Sequence, residues 1–228
     1  MQVSHLIAKY AICYAIFFLI TYFSKIQDGN KLFNSKGPVT NPAVLTGLQL
    51  AGILWLGIIP ANIFPQHFLT VLFGKNFPGI LQLCFLLMLI INVALLAGIQ
   101  AEKRCNQITK EGTNFNLPPA NFFLRYFIIR ITFLAAYETW FRGYLLTDCV
   151  NQLGYTLAIA INVLLYAFLH LFSGKNEFWG SIPLGLLLCS ICIWFGAAWP
   201  AIVIHIILAI TYESALTRNF LNSKKVLA

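Results

Sequence analysis

The sequence predicts an all-α, polytopic membrane helix bundle of about seven spans, within a range of six to eight. Three observations predict it. Of 228 residues, 59% are hydrophobic and only 10% are charged, whereas a soluble domain carries about 25% charged residues. The apolar residues fall into runs close to the roughly 20 residues that cross a bilayer as helix. The formal charge of +8 lies mostly between those runs, as the Lys and Arg of cytoplasmic loops do. Together these exclude a soluble globular enzyme, a disordered chain and a small disulfide-stapled domain. The basic balance carries no nucleic-acid reading.

The first run, 6–23, is interrupted only by Lys9. No Lys or Arg precedes it and no small-residue cleavage site ends it, so it reads as a retained span rather than a secretory signal. Residues 24–41 form a polar loop with Lys25, Lys31 and Lys36, broken by Gly29, Gly37 and Pro38. Runs 43–64 and 78–99 follow. The piece between them, 65–77, is too short and broken to cross, and reads as an interfacial or re-entrant connector whose segment 67–74 lies in the headgroup region. Residues 100–119 are the longest polar stretch, with Glu102, Lys103, Arg104, Lys110 and Glu111.

Residues 121–150 are apolar but carry Arg125, Arg130, Glu138, Arg142 and Asp148. As one helix they would be about 45 Å long, more than the ~30 Å hydrocarbon core. The first turns, with Arg125 and Arg130, are therefore expected to snorkel to the interface. A turn near 151–154 leads to the last spans, 155–172, 180–199 and 200–217, and to a basic tail with Arg218, Lys224 and Lys225. With the N-terminus outside, ten loop and tail cations fall on the cytoplasmic side and Lys75 alone on the other, which predicts an N-out, C-in protein of the bacterial cytoplasmic membrane. No internal period or low-complexity segment divides the chain, so 1–228 reads as one transmembrane domain.

Four of the six cysteines lie inside spans, where the default role is a small packing residue. Cys189 and Cys192 make a C-x-x-C, but in an apolar helix with no second pair and no nearby His, so neither metal nor redox function is expected there.

Ionisable residues inside spans are costly and are functional candidates by default. Lys9 and Glu213 lie near span ends and are expected to snorkel. Glu138 and Arg142 are spaced i, i+4 and can pair on one helix face, either as a structural ion pair or as an arginine that tunes a working carboxylate. His170 shares its face with Tyr166 and Asn162, a polar stripe that should face other helices. His205 is the lone polar residue of 201–210. Counting from the turn near 151–154 puts Glu138 and His170 at similar depth. His205 is only five residues past Pro200, so either the turn before it dips into the protein or the last helix is displaced inward. The other acidic residues fall in loops or near span ends, leaving Glu138 as the one deep carboxylate. A carboxylate and two imidazoles in a wet membrane cavity can do general acid–base chemistry on water. The same trio is also a possible zinc set, though the H-E-x-x-H helix is absent.

Three patches then resemble the CAAX-protease and bacteriocin-processing (Abi) family of intramembrane endopeptidases. Residues 137–143, Tyr-Glu-Thr-Trp-Phe-Arg-Gly, resemble its E-E-x-x-F-R-G segment. Tyr166-Ala-Phe-Leu-His170 resembles F-x-x-x-H, and Gly196 to His205 resembles the G-s-x-W-P-A-I-x-x-H run. With their flanking helix these patches cover 126–217.

The resemblance implies an intramembrane protease that cleaves a peptide bond of a membrane-associated protein or peptide, without an obligate cofactor. The family credits the first acid of that segment with activating water; here Glu138, the acid that remains, is expected to do so, supported by His170, with His205 stabilising the oxyanion and Arg142 orienting Glu138. Two positions depart from the family. Tyr137 stands where the first acidic residue belongs, and Ala209 where the third motif has Asn. Either Glu138 serves as base with Asn162 or Tyr166 assisting the oxyanion, or the chain is a catalytically silent relative acting as a membrane immunity or partner-binding protein. A small transporter using the buried polar stripe is a third class, but it calls for an inverted repeat that the sequence does not have.

Overall fold

The computed structural model describes residues 3–34, 37–63, 65–110 and 120–227. Lys36 and the part of the long polar stretch that includes Glu111 lie outside the described residues. Helix α1 spans Val3–Ile26. α2 (Pro42–Gly52) runs through a π-helical turn, Ile53–Ile58, into α3 (Ile59–Ile63). Pro42 opens α2 at a position that needs no N–H, and the Asn41 side chain accepts from the Val44 amide at 3.2 Å. The nine-residue α4 (Pro65–Phe73) follows. At 1.5 Å per residue it is too short to cross, as expected of the connector. α5 covers Ile80–Lys110.

α6 (Ala120–Glu138) continues through a second π-helical turn, Thr139–Leu145, into α7 (Leu146–Leu153). Gly154, at φ 79°, makes the expected turn into α8 (Tyr155–His170). α9 (Lys175–Phe195) and α10 (Trp199–Leu227) complete the bundle. Six of these helical segments are long and apolar enough to cross a membrane: Ala8–Ile26, Pro42–Ile63, Ile80–Ile108, Tyr155–Ser173, Lys175–Phe195 and Trp199–Leu221. The seventh expected span is the α6–α7 segment, whose buried charges set it apart. The protein is thus an all-α polytopic membrane bundle. Its β-structure among the described residues is one two-residue ladder in the α1–α2 loop, Phe33–Asn34 against Gly37–Pro38.

The core has two parts. The larger surrounds the π turn of residues 139–145, every residue of which is buried, and includes Trp140, Phe141, Tyr166, Leu188 and Ile204. The smaller lies under the α1–α2 loop, where Leu32 and Phe33 meet Ile108, Tyr126, Leu216 and Phe220. α4 packs on the π turn because residue 143 is glycine: a Cβ there would overlap the side chain of Val71.

Two expectations are corrected. Arg130 and Glu213 do not snorkel. They pair with each other at 3.2 Å, and Glu213, only 8% exposed, also accepts from Tyr126 Oη at 3.0 Å. Pairing inside the bundle neutralises two charges that a lone snorkelling side chain would have to carry to water. Glu138 is therefore not the one deep carboxylate, because Glu213 is a second.

Candidate active site

Glu138 is the last residue of α6, and the π turn that begins after it carries Arg142. Glu138 and Arg142 have no exposed side-chain surface, and Arg142 Nε lies 3.3 Å from Glu138 Oε2. The guanidinium sits over the Tyr166 ring at 4.2 Å and over Phe141 at 5.5 Å. A buried arginine held between a carboxylate and aromatic faces keeps its charge without water.

The other oxygen of Glu138, Oε1, accepts from His205 Nδ1 at 2.5 Å, across 67 positions of sequence. This contact answers the question of depth for His205. The turn before α10 lies inside the protein: Ala197 and Ala198 are buried, Gly196 adopts the left-handed φ of 63° that ends α9, and the Ala198 amide donates to Val71 O of α4 at 3.0 Å. With α4 laid against the turn, α10 starts deep enough to bring His205 level with Glu138.

His205 and His170 both line a cleft of about 120 Å³, together with Tyr137, Arg130 and Gln49. Glu138 is not among the lining residues; His205 stands between it and the cleft. The Nδ1–H of His170 donates to Tyr166 O at 2.9 Å, and its ring lies 4.5 Å from that of Tyr166. The Tyr137 ring meets His205 edge-on at 6.2 Å, and its buried hydroxyl has no hydrogen-bond partner. Asn162 sits behind the cleft. Its amide donates to Phe141 O at 2.6 Å and its oxygen accepts from Cys189 Sγ at 3.3 Å. Ala209 is buried and apolar.

One mouth of the cleft lies between the α1–α2 loop and the start of α9. There Asn30 Nδ2 donates to Phe172 O at 3.0 Å, and Lys31 Nζ donates to Ser173 O at 2.5 Å and to Glu177 Oε1 at 2.7 Å.

The structure thus brings Glu138, Arg142 and His205 into one cluster. It places His170, Tyr166 and Tyr137 beside that cluster and leaves Asn162 outside the cleft. Gln49 escaped the sequence reading, although an amide alone in an apolar run was a signal available there. Asn30, Lys31 and Glu177 had no local signal, because a loop reads the same whether or not it folds over a cavity. Among the described residues no group of three or more His, Cys, Asp or Glu is placed to hold a metal ion.

No curated protein and no solved structure matches the chain. Residues 119–211, which hold Glu138, Arg142, His170 and His205, match the family model for the type II CAAX prenyl endopeptidase Rce1-like proteins. Through that segment, the chain is similar to the Rce1-like CAAX/Abi family of intramembrane proteases.

Proposed function

We propose that the protein is an intramembrane endopeptidase whose base is the Glu138–His205 pair, acting on a peptide bond of a membrane-associated protein or peptide. The observation that carries this reading is the 2.5 Å contact between Glu138 Oε1 and His205 Nδ1, made by a histidine that lines the cleft. A carboxylate with no exposed surface cannot take a proton from cleft water directly. It can hold the Nδ1 proton of His205, which leaves Nε2 as the proton acceptor, and it can stabilise the imidazolium that forms.

His205 Nε2 removes a proton from water as the water oxygen bonds to the scissile carbonyl carbon, and the carbonyl oxygen becomes the oxyanion. The imidazolium then gives that proton to the leaving nitrogen as the C–N bond breaks, releasing an acid and an amine. His170, whose Nδ1 proton is engaged by Tyr166 O, offers a second acceptor that orients the water. Arg142, 3.3 Å from Oε2, fixes the position of Glu138. The step uses no metal ion; the two Glu138 oxygens face Arg142 and His205.

Processing of a membrane-anchored peptide library by the purified protein in vesicles tests the reading. Wild type should cleave, with activity unchanged by a chelator, and His205→Ala should cleave about 10⁴-fold more slowly. Cleavage by His205→Ala at the wild-type rate would remove the mechanism. A second reading is a catalytically silent relative acting as an immunity or partner-binding protein. It is favoured by Tyr137 and Ala209, which stand where the family pattern has reactive groups. It predicts no cleavage by wild type and a biological phenotype that survives Glu138→Gln.

A further inference from the structure

A second, larger groove of about 640 Å³ lies between α5 and α10, away from the cleft. Its lining changes character along the helices. Leu95, Gly98 and Ile99 of α5 and Ala215 of α10 make an apolar half. One turn further, Glu102 on α5 and Arg218 on α10 make a charged end. The charged end lies toward the C-terminal ends of both helices, which run on to Lys110 and Leu227. From Leu95 to Glu102 the rise is about 10 Å, comparable with much of the ~15 Å hydrocarbon depth of one leaflet. Glu102 and Arg218 are both exposed. They line one groove with opposite charge, and among the described residues they form no ion pair with each other or with a third residue.

We infer that this groove is a binding site for one phospholipid with an amine-bearing zwitterionic headgroup, of the phosphatidylethanolamine class. Charge complementarity selects that occupant. Arg218 matches the phosphate, with which a guanidinium makes charge-assisted hydrogen bonds. Glu102 matches a primary ammonium, which can donate to a carboxylate. An anionic lipid satisfies Arg218 but sets a second negative charge beside Glu102. A choline headgroup carries the positive charge without an N–H to donate. The acyl chain lies along the Leu95–Gly98–Ile99 face toward the middle of the membrane. The groove stays open there because residue 98 has no side chain: no heavy atom lies within 4 Å of where its Cβ would stand.

The test is native mass spectrometry of the full-length protein, delipidated in detergent and titrated separately with phosphatidylethanolamine, phosphatidylcholine and phosphatidylglycerol. The expected result is one ethanolamine lipid per chain, bound about tenfold or more tighter than the other two. Arg218→Gln should weaken that binding about tenfold, Glu102→Gln should abolish the preference over choline lipid, and Gly98→Phe should lower occupancy by all three. Equal binding of the three lipids by wild type, a preference for the anionic lipid, or full ethanolamine-lipid binding by Arg218→Gln would each overturn the inference. A side chain placed at residue 98 would project into open groove, and melting temperature reports whether Gly98→Phe still folds. If it does not, the two variants at exposed positions decide the matter alone.

Discussion

Two buried carboxylates in this bundle look alike by burial and charge and differ in what surrounds them. Glu138 is paired with Arg142 and His205, and Glu213 with Arg130 and Tyr126. Each is an acid neutralised by an arginine and finished by a hydrogen bond from an aromatic ring residue. The ring residue makes the difference. An imidazole has a second nitrogen to present, and His205 lines the cleft. A phenol has a single hydroxyl, here already given to Glu213, and Tyr126 lies in the smaller core under the α1–α2 loop. Burial and pairing therefore mark both sites, but only at Glu138 does an imidazole that lines the cleft complete the cluster.

The sharpest way to break the comparison is to remove each carboxylate in turn. Glu138→Ala should eliminate cleavage, a loss of about 10⁴-fold, and should also lower the melting temperature by stranding Arg142. Glu213→Ala should cost about 3–5 kcal/mol of stability, the penalty for leaving a buried charge without its partner. Its cleavage rate per folded molecule should stay at wild type. If Glu213→Ala instead abolishes cleavage while melting unchanged, the two sites have been assigned the wrong way round.

A smaller effect is expected from Tyr126→Phe, which deletes one hydrogen bond to a charged group and should cost about 1.5–3 kcal/mol, read as a melting shift with no change in rate. The smallest is expected from Arg142→Lys. It keeps the charge beside Glu138 but gives up the guanidinium's stacking on Tyr166, a loss of about 0.5–2 kcal/mol. Melting should fall slightly and cleavage should persist; complete loss of cleavage would show that Arg142 does more than hold Glu138.

Much of the Glu138 site was legible in the sequence, because charge is so scarce inside these spans that each exception stands out. Glu138 and Arg142 announced themselves by i, i+4 spacing, and His205 by its solitude among aliphatic residues. The Gly154 turn followed from the length of the flanking runs. The Glu213 site was not legible for a related reason. Arg130 and Glu213 are far apart in sequence and each sits where a snorkelling side chain would also sit, so nothing local distinguishes a paired charge from a solvated one. The two π turns left no mark either, since residues 139–145 read as ordinary helix. The depth of His205 depended on contacts with α4, which residue counting along α10 cannot supply.

Those contacts with α4 reach further than the height of one histidine. Val71 touches both halves of the acid–histidine pair at one remove: its carbonyl receives the Ala198 amide ahead of His205, and its side chain fills the space over Gly143 behind Glu138. A nine-residue helix outside the 119–211 segment thus acts as a splint across two chain segments that must stay in register. The family-like segment is consequently not a self-sufficient module. Cut free of the N-terminal half, it would keep every residue of the pair and lose the brace that aligns them.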